Sequence, residues 1–292
     1  MLTINNRIFG GERPLYGLHD ADLKFVTFIN GESPLKETNN LSLDKVTFQY
    51  KYPLWNANNI KVTDSIFEEM SRSGIWYTNN IEITNSEFQS PKMFRRSNNI
   101  KLDNVHFSDA EEAFWECSHI EINNVSAAGN YLFKNSSDIQ VDHLNLIGNY
   151  AFDGAKNVTI TNSKLVSKDC FWNSENVLVK NCIIDGEYLA WHARNIKFEN
   201  CYIQSDQGLN YVDQLTIRHS NFINSKLLFE YCHDLDAEIN GDLTSIKNPY
   251  SGKISCDKIE LAIIDPNRID PTKVKLLAKV IKKLDNDPNP NE

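Results

Sequence analysis

Apolar residues recur along this chain in two superposed rhythms, one of two residues and one of about nineteen. Aliphatic anchors stand at Leu23, Leu41, Ile60, Ile81, Ile100, Ile120, Ile139, Val158, Val177, Ile196, Leu215 and Leu235. Two residues after each anchor the chain is apolar again, from Phe25 in the first copy to Ile217 near the end, and the residue between is usually polar, as in Ile60-Lys61-Val62 and Val158-Thr159-Ile160. Alternation rich in β-branched residues predicts a short strand with one face inward, and no helical spacing fits these windows. A repeat of this length outranks any single motif, because it dictates the whole architecture.

The flanking positions repeat as well. Asn40, Asn59, Asn80, Asn99, Asp138, Asn157, Asn176 and Asn195 precede the anchors, and Asp64, Asn85, Asn104, Asn124, Asn162, Asn181 and Asn200 follow four residues after them. Asn and Asp tolerate left-handed backbone and so suit sharp corners, and amides stacked at one position can pair between copies. Further apolar columns lie about seven residues on (Phe48, Phe67, Phe88, Phe107) and about thirteen on (Leu54, Phe94, Phe114, Phe133, Phe152, Phe171).

Three short strands and three corners per copy make a triangular coil that stacks on its neighbours by parallel hydrogen bonding. The pattern therefore predicts an all-β protein, a single-stranded right-handed parallel β-helix of about twelve coils over about 17–265, as one domain across 1–292. Asp270 and Pro271 read as N-cap and first helical residue. Val274, Leu277, Val280, Ile281 and Leu284 then share one helical face, so a short C-terminal capping helix is expected over about 271–284.

Composition narrows the partners. The net charge of −9 leaves no basic face for nucleic acid. No apolar run is long enough to span a bilayer, and the N-terminal residues lack the apolar core of a signal peptide, so no membrane and a cytoplasmic address are expected. Cys182 and Cys201 occupy one position in successive coils, and a reducing compartment favours thiols there. There is no Cys-x-x-Cys, and His192, His219 and His233 are scattered singly, so neither a metal nor a cofactor is expected.

Candidate chemistry lies in a column beside the last apolar one: Trp55, Trp76, Arg95, Trp115, Lys134, Asp153, Trp172, Trp191, Asn210 and Phe229. Alternation places these residues outward, and exposed aromatic patches mark contact with something. Arg95, Arg96, Trp115, Trp172, Tyr188 and Trp191 are the candidate ligand-binding set, with rings as platforms for sugars and arginines as donors to a uronate carboxylate. The competing reading puts the rings under a loop, the C-terminal helix or a partner subunit. Glu116, Asp153, Asp169 and His192 are the candidate catalytic groups if the protein is an enzyme, although Glu116, one coil from Arg95 and Arg96, is accounted for most simply by a cross-coil salt bridge.

Several irregular strings carry a resemblance: Phe-Gly-Gly-Glu-Arg at 9–13, Gly-Glu-Ser-Pro-Leu-Lys-Glu at 31–37, Lys-Tyr-Pro-Leu-Trp at 51–55, Gly-Ile-Trp-Tyr-Thr-Asn-Asn-Ile at 74–81, Phe-Arg-Arg-Ser at 94–97, Asp-Cys-Phe-Trp-Asn-Ser-Glu-Asn-Val at 169–177 and Lys-Asn-Pro-Tyr-Ser-Gly at 247–252. On these, the span from Phe9 to about Lys275 resembles a bacterial family of pectin-lyase-like β-helix proteins known only as a domain of unknown function. The resemblance implies the fold and no activity, since β-helices host enzymes, adhesins and inert scaffolds alike. The catalytic strings of polygalacturonase-like members have no counterpart here. The resulting expectation is a carbohydrate-binding or carbohydrate-active protein using the Trp/Arg face. Its rival is a non-catalytic scaffold or homo-oligomer with the same face as a protein interface.

Overall fold

The computed structural model describes residues 2–288, which divide after Gly148 into two compact units. Each is a stack of parallel strands built on the nineteen-residue rhythm. In the first unit, strands begin at Leu2, His19, Asn39, Asn58, Asn79, Asn98, Ser118 and Ser137, eight rungs in all. They pair in register through Leu41, Ile60, Ile81, Ile100, Ile120 and Ile139. In the second unit, rungs begin at Lys156, Glu175, Arg194, Asp213, Leu235, Gly252 and Val274, seven in all, with Val158, Val177, Ile196 and Leu215 in one column. These anchors are buried, as alternation requires. The protein is a parallel β-solenoid.

Among the described residues there are fifteen rungs rather than about twelve, because Leu2–Phe9, Gly252–Ile263 and Val274–Leu284 stack beyond the twelve copies that the anchors mark. The first copy is also in a different register from the one its spacing suggests. Ala21 pairs with Leu41 and Leu23 with Leu43, which leaves Phe25 half exposed instead of inward.

The C-terminal helix expected over 271–284 is not formed. Asp270 does cap a single 3-10 turn at Pro271–Lys273, accepting from the Thr272 backbone N–H, but the chain then runs as a strand from Val274 to Leu284. Its burial alternates residue by residue over most of its length. The physical reason is the neighbouring strand: Gly252–Ile263 has an open edge whose backbone donors and acceptors need partners, and Val274–Leu284 supplies them in parallel.

Corners are built as the Asn positions require. Asn40, Asn59, Asn80 and Asn99 all have φ between 53° and 55°. Their amides donate up the stack, from Asn59 to Asn40, Asn80 to Asn59 and Asn99 to Asn80, at 2.8–2.9 Å. The second unit repeats this with Asn195 to Asn176 (2.8 Å) and Asn176 to Asn157 (3.1 Å). Small polar residues satisfy the adjoining backbone. The Ser65 hydroxyl accepts from the Val46 N–H and donates to the Thr63 carbonyl, and Cys201 Sγ donates to the Glu199 carbonyl at the matching corner of the second unit. All six cysteines are thiols rather than disulfides, Cys182 and Cys201 included.

The third side is turn rather than strand, with only isolated bridges such as Trp76 to Arg95 and Arg95 to Trp115. Here two successive residues point inward, for example Ala113 with Phe114 and Cys170 with Phe171. Strict strand alternation forbids that. The chain manages it by placing the second residue in the left-handed region, with φ of 58° at Phe114 and 63° at Phe171.

Candidate functional site

The tryptophans do point outward, and the backbone uses them. Each indole N–H donates to a backbone carbonyl one rung ahead: Trp55 to Ser73, Trp76 to Lys92, Trp115 to Tyr131, Trp172 to Tyr188 and Trp191 to Gln207, at 2.5–3.0 Å. A turn-rich side leaves carbonyls without ladder partners, and an indole on the previous rung reaches them. The five tryptophans are therefore half-buried cross-rung staples.

In the first unit their faces are also closed. Trp55 stacks on Trp76 at 5.2 Å and 8°. The Arg95 guanidinium is sandwiched 4.6 Å from both the Trp76 and Trp115 rings, and Lys134 lies 5.8 Å from Trp115 on its own account. Arg95 Nη2 donates to Glu112 Oε2 at 3.1 Å, and Lys92 Nζ is 3.3 Å from the same oxygen. The Arg96 Nε meets Glu116 Oε2 at 2.6 Å on the exposed side, the cross-coil pair that the spacing allowed, and this bond holds the guanidinium above the ordinary arginine range. Edges, not ring faces, reach solvent here.

The second unit is arranged differently. Trp172 and Trp191 stack at 6.0 Å with no cation between them. Tyr188 and Tyr211 meet Trp191 edge-on, and His192 stacks on Tyr211 at 4.9 Å. Asp153 accepts from the Asn173 amide at 3.2 Å. Asp169 is buried, and that burial raises its carboxyl pKa against the pull of Lys168 and a hydrogen bond from Tyr150. Asp153 meets Asn173, Asp169 meets Tyr150 and Lys168, and His192 meets Tyr211. They are held by separate partners.

Deeper in the second unit lies a buried ionic cluster. Lys247 Nζ is 3.2 Å from Glu230 Oε1 and 3.3 Å from Asp287 Oδ2, beside a cavity of about 140 Å³. Burial raises the Glu230 pKa although Lys247 opposes it. For Lys247, burial works against the charge, but Glu230 and Asp287 outweigh it and hold the ammonium above the ordinary lysine value. Burial likewise pushes the Cys117 and Cys232 thiols up to about 12.

The first unit carries an open groove of about 580 Å³ that crosses the rungs from Asp64 to Asn145. One wall is the corner amide ladder, in which Asn104 donates to Asn85 at 2.8 Å and Asn124 to Asn104 at 3.1 Å. The other is an outward column that pairs Glu87, His106, Ser126 and Asn145 rung by rung. Within it, His106 Nδ1 and Ser126 Oγ are 2.6 Å apart. Among the described residues no three His, Cys, Asp or Glu side chains gather as a metal site, and no helix is long and apolar enough to cross a membrane.

The profile of a family described as protein of unknown function (DUF3737) matches residues 2–277. The chain belongs to that family. No curated protein matches it in sequence. Among solved structures it is similar to the surface protein and adhesin PfbA of Streptococcus pneumoniae, with 10% identity, 91% of this chain and 74% of that chain covered, and a TM-score of 0.34. It is also similar to QnrB1, a plasmid-mediated fluoroquinolone resistance protein, with 15% identity, 63% and 86% covered, and a TM-score of 0.28. Likenesses this distant carry no argument about what a DUF3737 chain does.

The groove column was within reach of the repeat. Glu87, His106, Ser126 and Asn145 each stand six residues after an anchor, at Ile81, Ile100, Ile120 and Ile139. No such signal announces Lys247 and Asp287, because their ion pair crosses from one rung to the chain's end.

Proposed function

We propose that this protein binds an extended, hydroxyl-rich saccharide along the amide-lined groove of the first unit. The supporting observation is the ladder of Asn85, Asn104 and Asn124 in that groove. A carboxamide offers two N–H donors and two acceptor lone pairs. The ladder consumes one of each at Asn104, and the remaining pair is available to sugar hydroxyls at every rung, roughly 4.8 Å apart. The Trp/Arg column favours the same class less directly. Arg95 and Arg96 already hold Glu112 and Glu116, so a uronate must displace a carboxylate to reach them, and neutral chains are the better fit. A cytoplasmic setting belongs to this proposal, in keeping with six cysteine thiols, and short imported oligosaccharides are then the ligands.

The test is calorimetric titration with a panel of neutral and acidic oligosaccharides. Neutral chains should bind, Asn104→Ala should weaken them about tenfold, the worth of one hydrogen bond, and Arg96→Ala should leave them unchanged. Flat heats across the whole panel would sink the proposal.

A second reading has its own observation. In the second unit Tyr188 and Tyr211 meet Trp191 edge-on while His192 stacks on Tyr211, and tryptophan and tyrosine are among the types enriched at interface hot spots. Under this reading the chain is a scaffold that pairs with a second copy through those edges. A monomer throughout a sedimentation series to high concentration removes it.

A further inference from the structure

We propose that the same groove also carries out acyl-ester hydrolysis, with Ser126 as nucleophile and His106 as its general base. The inference rests on the saccharide reading only for the identity of the ester, an O-acylated sugar. The chemistry stands on the geometry of the column itself.

The parallel register makes the arrangement. Glu87 pairs with His106, His106 with Ser126, and Ser126 with Asn145, so four outward side chains stand in file on consecutive rungs. His106 Nδ1 and Ser126 Oγ lie 2.6 Å apart, within the hydrogen-bond reach that a nucleophile and its base require. With the imidazole proton on Nε2, Nδ1 accepts from the serine hydroxyl. Glu87, one rung back and in register with His106, is the carboxylate assigned as positioning residue, and its Oε1 accepts from Gln89 Nε2 at 2.9 Å. Asn145, one rung ahead and exposed, supplies an amide donor for the oxyanion. All four line the groove rather than a convex face, so a bound chain passes over them.

The step balances without any cofactor. Ser126 Oγ attacks the ester carbonyl carbon as its proton passes to His106. The tetrahedral intermediate collapses, the carbon–oxygen bond to the sugar breaks, and His106 protonates the departing alkoxide. Water then attacks the acyl-serine, giving its proton to His106, which returns it to Ser126. One ester and one water become one acid and one sugar hydroxyl.

The full-length protein is treated with a fluorophosphonate probe and read by mass spectrometry, and p-nitrophenyl acetate and an acetylated xylo-oligosaccharide are assayed alongside. A phosphonylated Ser126 is expected in the wild type and not in Ser126→Ala. His106→Ala should cut the turnover of both esters by about 10²-fold or more, with unchanged circular dichroism and melting, since both side chains face solvent. Glu87→Gln should lower kcat with KM unchanged, the mark of a positioning residue. An unlabelled Ser126, or hydrolysis equal in wild type and His106→Ala, overturns the proposal and leaves the pair as a surface cross-rung contact. Failure of the binding reading is separable: Ser126→Ala with flat heats for deacetylated oligosaccharides, while the wild type still labels, sinks saccharide recognition and spares the ester chemistry.

Discussion

The two units run one repeat with different contents. Inside the first, Phe28, Phe48, Phe67, Phe88 and Phe107 form a ladder of stacked rings at 4.4–5.2 Å, and Phe94, Phe114 and Phe133 form a second at 4.6–4.8 Å. In the second unit the positions corresponding to the first ladder hold Leu165, Ile184 and Ile203 before a single ring returns at Phe222, and small inward residues such as Ala190 interrupt the other. Outside, the first unit closes its indoles around a guanidinium, while the second leaves indole, tyrosine and imidazole edges together. The second carries a buried lysine between two carboxylates, which the first lacks among the described residues. A repeat sets where side chains go; their identity sets whether a column becomes a rigid stack or an assortment of exposed edges.

Substitutions break this contrast in a definite order. The largest effect is expected at Phe107, which stacks on Phe88 at 4.6 Å and meets Phe114 edge-on. Phe107→Ala should cost about 3–5 kcal/mol in urea unfolding, whereas Ile184→Val at the matching column of the second unit should cost about 0.5–1.5 kcal/mol. Equal losses would mean that ring stacking gives the first unit no special character.

Lys247→Met comes next at neutral pH, at about 3–5 kcal/mol, because it strands Glu230 and Asp287 as buried carboxylates. The pH dependence has a sign. Glu230 is raised in the folded protein by burial despite Lys247, so the folded state holds its proton more tightly than the unfolded one. Its contribution is therefore best below the ordinary glutamate range and is lost as pH rises through the folded value. Removing Lys247 raises that value further. The deficit of the variant should shrink on acidification, and a deficit independent of pH would show that Glu230 is not its source.

Arg95→Met removes the cation between Trp76 and Trp115 and should cost about 1–2 kcal/mol with a shift in tryptophan emission. Fluorescence of the second unit's Trp172 and Trp191, which stack without a cation, provides the unaffected reference. Smallest of all is Arg96→Ala. Its bond to Glu116 is exposed to water and screened by salt, so its loss should be barely measurable and smaller still at high salt. A larger loss in thermal melts would mean that Arg96 holds more than one carboxylate.

Much of this was legible before any fold was seen. Asn59, Asn80 and Asn99 advertise left-handed corners because their side chains tolerate that backbone, and Ile60-Lys61-Val62 advertises a half-buried strand because alternation has one physical meaning. The errors fall where two local rules compete. Val274, Leu277, Val280, Ile281 and Leu284 satisfy a helical face behind a genuine Asp270-Pro271 cap, while the burial of the same segment alternates as a strand. Only the free edge of Gly252–Ile263 decides between them. Among candidate site residues, the sequence placed Trp115 and Trp172 outward but could not show that their N–H groups were already spent on the next rung.

The sequence by itself determined the coil, since strand, corner and inward column each follow from steric and solvation preferences of neighbouring residues. The spacing already suggested a salt bridge from Glu116 to the Arg95–Arg96 pair; tertiary structure decided the other close pairings, Arg95 with two indoles, Lys247 with Glu230 and Asp287, and His106 with Ser126. Those partners stand some seventeen to forty residues apart in the chain. They meet only because rungs stack in register at roughly 4.8 Å, and a rotamer, unlike a rung, answers to its neighbours in space.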